Sequence, residues 1–295
     1  MNKSKTLEAA AAWLDESPDY RVLRRLKLPD NLSPFDTTTP IHAGVVVDVE
    51  TDGLDLATHE AVELCLWPFL FAAFPAGAMF AQFGEPVRML QEPANPMPAP
   101  MTKIHGLTDD DLKGQRFDQE KIAEVVGGAA LVIAHHAQFD RGFCEKASPI
   151  FRAANWACSM EQVPWKANGF SSNSLENICT KLGAFYDAHQ ATNDCRAVLF
   201  ALSHQVGDKT GLQHVIEATR RKSWRVCAVD APYQAKDLLK ARGYKWQDSH
   251  RWWQTEVVDL DPEREWLNAA VYPHFKIPPY MVREVTAKDR FSLRG

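Results

Sequence analysis

The sequence predicts an α/β protein: one layered domain of sheet and helices, a helical extension before it, and a small α+β domain after it. Three observations carry this. Apolar, β-branched and aromatic runs crowd residues 43–90; beyond residue 108 apolar strand-like and helix-like segments alternate; past Gly207 the chain turns basic and tryptophan-rich. Strands first, then strand and helix in alternation, is the order of a layered α/β domain.

Residues 1–42 read as the extension. TLEAAAAWLDES has helical composition, YRVLRRLKL carries apolar residues at helical spacing, and LPDNLSPFDTTTP interrupts the pattern. VVVDV then reads as a strand, and VELCLWPFLF and AMFAQFGEPVRML as the next two. Residues 64–81 run for eighteen positions without a charge, a length at which a spanning helix is considered. Pro68, Pro75 and Gly77 argue against it: Pro75-Ala76-Gly77 reads as a turn between two buried strands, so no membrane is expected as a partner. PANPMPAP is a connection. Helical spacing follows over 108–127 (Leu112, Ile122, Val125, Val126), a short strand at ALVIA (130–134), and helices near 172–182, capped by Asn173 or Ser174, and 193–206. The domain spans 43–207, an ordinary size. In the C-terminal domain, 220–295, the order expected is a short strand, a helix Gln234–Ala241 stopped at Gly243, and a hairpin.

Net charge is −5, so the chain as a whole lacks the basic signature of a nucleic-acid binder. The charge is polarised, however: nine basic residues face three acidic ones between 220 and 253, a net +6 against −11 for the rest. The six cysteines form no C-x-x-C pair, which fits free buried thiols in a reducing compartment. The N-terminus has no signal-peptide pattern, and a cytoplasmic location is expected.

The chemistry-bearing residues begin in VVVDVETDG. Strand side chains alternate, so Asp48 and Glu50 share a face while Val45, Val47 and Val49 take the other. Two buried like charges are costly unless a cation lies between them, and hard oxygen donors suit Mg²⁺ or Mn²⁺. The pair alone fits equally well a strand end that simply reaches water. Asp140, in HHAQFDRGF, would sit in the first turn of a helix at the carboxyl edge of a strand, where the helix dipole by itself favours an acid. In HQATNDCRA, His189 and Asp194 are five apart and would not share a helical face; His189 belongs on the loop and Asp194 in the next first turn. A lone loop histidine is by itself a surface residue.

Together the pieces resemble the DEDDh 3′–5′ exonucleases, proofreading-type enzymes with an RNase H-like fold. The resemblance covers about residues 43–207 and rests on VDVETDGL (47–54), IHGLTDDDL (104–112), HHAQFDRGF (135–143) and HQATNDCRA (189–197). The tyrosine variant of the family needs Tyr-x3-Asp, and Gln190 stands there. One departure is His135-His136, where the family commonly has His-Asn, which bears on the hydrogen bonding behind Asp140.

The resemblance implies a mixed five-stranded sheet and a metal-dependent 3′–5′ exonuclease that releases 5′-mononucleotides, from single-stranded DNA ahead of RNA. Asp48, Glu50, Asp140 and Asp194 would hold two Mg²⁺ or Mn²⁺ ions, and His189 would take the proton from the attacking water. Thr51, Gly53 and Leu54 would line the terminal nucleotide, with His105 and Leu107 near it; Phe139 would stack on a base or pack in the core. The alternatives are an exoribonuclease trimming RNA ends and a non-catalytic nucleic-acid-binding subunit. A homodimer, or a polymerase or repair partner, is compatible with the family. In the C-terminal domain, Trp246, Trp252 and Trp253 interleave with basic residues, a pattern that holds single strands or serves as the core of a very small domain; at least two of the three are expected in the core.

Overall fold

The protein is described here by a computed structural model covering residues 3–29, 39–74 and 77–292. By internal contacts the chain divides into two units, residues 1–216 with 291–295, and residues 217–290.

The larger unit is built on a mixed sheet. Strand β1 (Ile41–Thr51) pairs antiparallel with β2 (Ala61–Phe74) and parallel with β5 (Leu131–Ala134), which pairs parallel with β6 (Trp156–Cys158). Beyond β2 lie β3 (Gly77–Phe83) and β4 (Val87–Leu90), which share one position: β3 pairs Phe69–Phe74 and β4 pairs Glu63–Leu66. The sheet thus has the five positions expected, with the outer one divided. AMFAQFGEPVRML reads as one strand, but Pro86 cannot donate to a ladder, and Gly84 turns away to donate to Pro68 O and accept from Trp67 Nε1. Pro75 and Ala76, the expected turn, lie outside the described residues; Phe74 and Gly77 face each other across the β2–β3 pair. No described helix is long and apolar enough to cross a membrane.

Both faces of β1 are buried. Val45, Val47 and Val49 pack with Phe143 and Cys144 of α1 (Ala137–Ala147), whereas Val46 packs with Ala191, Cys195 and Leu199 of α2 (Ala191–Ser203). Gly44 lets Phe69 lie across the strand, because a Cβ there would collide with its ring.

The helices expected over 108–127 are Asp109–Leu112, with a Thr108–Asp111 capping box, and Gln119–Gly127, capped by Asp118. Gly114 between them takes φ +72°, a left-handed conformation that ends a helix. The extension begins with a helix, Lys3–Asp15, but YRVLRRLKL is not helical. Arg24–Arg25 instead pairs parallel with Ala184–Phe185, and Leu26 is buried in the core with Leu28 packed beside it. The period-2 placement of Leu26 and Leu28 on an open strand edge outweighs the local helical spacing. All six cysteines are free and buried.

The smaller unit carries an antiparallel sheet: β7 (Ser223–Ala228) lies between β9 (Trp252–Val257) and β10 (Met281–Val285), and β8 (Lys245–Gln247) pairs with β9 as the expected hairpin. The expected helix is a 3-10 turn Tyr233–Ala235 running into Lys236–Ala241, with Gly243 at φ +92° behind it. Val226, Ala228, Leu239, Tyr244 and Leu267 make its core. Of the three tryptophans, Trp253 packs against this core, Trp246 is 44% exposed, and Trp252 follows the strand alternation to the other face. The expectation that at least two serve as core is corrected: a one-residue step between neighbouring tryptophans sends them to opposite sides.

Candidate active site

The acids meet at the end of β1. Asp48 and Glu50 continue the face of Val46, so the helix packed on that face, α2, brings Asp194 to them from its first turn. One carboxylate oxygen from each of Asp48, Glu50 and Asp194 falls within 4.8 Å of the others. Asp140 arrives from the opposite side, in the first turn of α1, and is 3% exposed. It stands outside that close triplet, yet its charge acts on Asp48 and Glu50. None of the four forms an ion pair with a described lysine or arginine. By contrast, the neighbouring buried acids are matched: Glu63 by Arg88, Glu145 by Arg141 at 2.6 Å.

Uncompensated burial leaves a clear electrostatic mark. Desolvation first, then the charges of Asp140, Asp194 and Glu50, push the Asp48 carboxyl well above the usual range. Burial and the Asp194 charge raise Glu50 to about 8. Burial raises Asp140 to about 8 against main-chain N–H groups of His136, Asp140 and Val49 that favour its anion. Asp194 is raised by burial, opposed by the Tyr186 hydroxyl and the Gln190 N–H. Such a cluster resists full ionisation unless cations enter it. Oxygen donors only, close together and without a paired lysine or arginine among the described residues, fit hard divalent ions.

His189 is exposed, on the loop before α2, with φ +62°, and its charge lowers the Asp194 carboxyl. The His135-His136 departure has a simple local outcome. The His136 main-chain N–H, which any residue supplies, donates to Asp140 Oδ2 at 3.2 Å, and its ring stacks on Phe139. His135 is tied to Ser159 Oγ and Asn173 O, both at 2.8 Å, and burial lowers its pKa to about 4.

Among the other expected residues, Thr51 is buried and donates its hydroxyl to Gly53 O at 2.7 Å, while Leu54 projects outward at 77% exposure. Gly53 has the His59 ring where a Cβ would stand, 2.5 Å away. His105 is buried; its Nδ1 accepts from Leu107 N, and its Nε2 has no partner. Burial outweighs the Thr51 main chain and Glu63 to lower its pKa. Phe139 lies half-buried against Phe143 at 4.8 Å between centroids, packed on the core.

Two residues escaped sequence reasoning. Tyr186 donates its hydroxyl to Asp194 Oδ1 at 2.9 Å, and nothing in FYDAHQ marks it. Glu63, 2% exposed and opposite Glu50 across β1–β2, raises the Glu50 carboxyl; a lone acid inside the apolar run AVELCLW was its available signal. Tyr186→Phe is expected to weaken Mn²⁺ binding about 10-fold, as removal of a group that orients a ligand does, with little change in the unfolding midpoint. Calorimetric titration of Mn²⁺ checks it; unchanged affinity would leave Tyr186 a packing residue.

Several known proteins are similar. A 104-residue stretch is 32% identical to the PolC-type DNA polymerase III of Halalkalibacterium halodurans, covering 34% of this chain and 6% of that protein. A 203-residue stretch is 27% identical to that of Thermotoga maritima, covering 65% of this chain and 14% of that protein. The chain therefore spans well under a fifth of the length of these relatives. Among solved structures, exonuclease X with 5′ overhanging duplex DNA aligns over 59% of this chain and 98% of its own, at 19% identity and a TM-score of 0.43. E. coli exonuclease I with a dT13 oligonucleotide aligns over 84% of this chain and 64% of its own, at 15% identity and a TM-score of 0.48. Residues 45–202, which run from the first strand that carries the acids to the helix that carries the last of them, match the RNase T family of exonucleases, and the chain belongs to that family.

Proposed function

We propose that this chain is a 3′–5′ exonuclease that removes 5′-mononucleotides from single-stranded DNA, using two divalent cations and His189 as general base. The observation that carries the reading is the convergence of Asp48, Glu50 and Asp194 within 4.8 Å, with no lysine or arginine paired to them among the described residues. Likeness to chains named DNA polymerase III favours DNA over RNA and a replication or repair setting.

In this reading Asp48 would serve both cations, Glu50 and Asp194 would help to hold one of them, and Asp140 would support the other. Bound Mg²⁺ or Mn²⁺ supplies an activated water and neutralises charge on the scissile phosphate. Tyr186 fixes the Asp194 carboxylate in place. His189, exposed on its loop, receives the water's proton and gives it up to solvent. The main chain from Thr51 to Leu54 lines the terminal nucleotide, and the partnerless His105 Nε2 offers it a hydrogen-bond donor. Leu107 supports His105 through its N–H. Phe139 serves packing rather than stacking in this scheme.

The test is hydrolysis of 5′-labelled and 3′-labelled single strands of DNA and RNA with Mg²⁺ or Mn²⁺. A ladder shortening from the 3′ end, faster on DNA, is expected. Shortening of RNA alone would replace the reading with an exoribonuclease, and binding without cleavage would replace it with a binding subunit. His189→Ala is expected to lower kcat by about 10²–10⁴-fold and to remove the acid limb of the pH–rate profile. A variant that keeps that limb would assign the base elsewhere.

A further inference from the structure

The outward face of the C-terminal sheet carries chemistry that the acidic site does not use. Its inner face, with Trp224, Val226, Ala228, Trp253 and Val257, is covered by the unit's own core. Alternation sends Arg225, Lys245, Trp252 and Gln254 to the other side. The register sets Lys245 beside Gln254, Arg225 between Glu256 and Arg283, and Trp252 opposite Gln247. The His250 ring stacks on Trp252 at 4.6 Å and 22°, which makes a two-ring plate. The indole Nε1 is buried with no hydrogen-bond partner.

Five of the fourteen basic residues of this unit lie in ion pairs. Arg242 pairs with Glu263, Lys222 with Glu284 and Arg283 with Asp289. Glu256 faces Arg225 across the ladder but bonds to Ser223 and Arg290 instead. On this face Arg225 and Lys245 have no acidic partner among the described residues, whereas Arg283 beside Arg225 is paired. The unit holds fourteen basic and eleven acidic residues, a net +3, whereas the rest of the chain is −8.

We propose that this face binds a single strand of nucleic acid, with Trp252 and His250 stacking on a base and Lys245 and Arg225 meeting the phosphates. Uncompensated cations beside an aromatic plate fit a polyanion that offers bare ring faces, whereas a duplex hides its bases in the stack. The occupant is argued from charge and from membership of an exonuclease family, independently of the direction of hydrolysis.

The test uses the full chain in EDTA, where a labelled oligothymidylate of about 15 nucleotides is titrated by fluorescence anisotropy at about 50 mM salt. Arg225→Glu with Lys245→Glu is expected to weaken binding about 10-fold or more and to reduce its salt dependence. Lys236→Glu with Lys240→Glu, the same charge change on the helix that covers the inner face, is expected to cost less than about 3-fold. Trp252→Leu should weaken binding about 5-fold or more, with Trp252→Phe close to wild type, because stacking survives in phenylalanine. Thermal unfolding midpoints confirm that each variant is folded. Equal losses from the two charge pairs, or no loss from either, would overturn the proposal. Hydrolysis of the p-nitrophenyl ester of thymidine 5′-monophosphate with Mn²⁺, a substrate with a single nucleotide, should stay unchanged in all of them. Failure of that ester reaction in the wild-type protein would sink the proposed function while leaving the binding result to stand by itself.

Discussion

Asp194→Ala is expected to reduce exonuclease turnover by about 10³-fold or more while the protein stays folded. Asp194 is one of the three carboxylates that lie within 4.8 Å of one another, so in the proposed reading its loss removes a cation ligand rather than an outlying helper. Two effects on stability oppose each other. Relief of repulsion among buried acids favours the variant, since the Asp194 charge raises both Asp48 and Glu50. Against that, the Tyr186 hydroxyl and the Gln190 N–H lose their acceptor, at about 1–3 kcal/mol for a buried unmet donor. The net change in metal-free buffer is expected within about 1 kcal/mol. Asp48→Asn isolates the first effect, because Asp48 accepts no such hydrogen bond: it too should be inactive, yet more stable than the wild type without metal at pH 8. Steady-state kinetics and urea unfolding in EDTA check both variants. A large destabilisation by either would mean that these acids serve the fold.

The structure of the site explains how much of it was legible. Asp48 and Glu50 could be placed on one face because strand alternation is local and strict. Asp194 in a first turn after a loop histidine followed from the five-residue gap, and α2 begins at Ala191 accordingly. What could not be read was depth. Asp140 comes from the helix on the other face of β1 and stands outside the close triplet, a consequence of packing that no spacing encodes. Tyr186 was invisible for the same reason, since its contact with Asp194 depends on how the loop at 187–190 returns. Local pattern also failed where an edge offered a better partner. YRVLRRLKL spaces its apolar residues for a helix, but the chain there pairs with Ala184–Phe185 and buries Leu26. In the C-terminal unit, counting tryptophans predicted core, and strand alternation divided them between two faces.

Without divalent ions, the protein is expected to lose stability as pH rises from about 6.5 to about 8 and to recover it on addition of Mg²⁺ or Mn²⁺. In the unfolded chain these carboxyls titrate near 4. In the folded chain Glu50 and Asp140 are raised to about 8, and Asp48 and Asp194 are raised as well. Between the two values these carboxyls hold more protons in the folded state than in the unfolded one, so each pH increment there favours unfolding; His135 and His105, lowered by burial, act the other way until the unfolded histidines are neutral above about 6.5. Below about 4 both states are protonated, and above about 8 Glu50 and Asp140 have given up their protons in both states, so their contribution is then constant. A tenfold change in the proton affinity of one carboxyl is worth about 1.4 kcal/mol. The loss expected is about 3 kcal/mol, well under the sum for carboxyls that titrate independently, because protonating one acid relieves its neighbours. A bound cation replaces the protons as the source of positive charge, so saturating Mg²⁺ should flatten the profile and raise the midpoint most at pH 8 and above. Urea unfolding at pH 5, 7 and 9, with EDTA or with Mg²⁺, measures this. A metal-free profile that rises from pH 7 to 9, where the histidines no longer titrate, would mean that the four carboxylates find their compensation inside the protein, and the reading of the site as a cation cradle would fall with it.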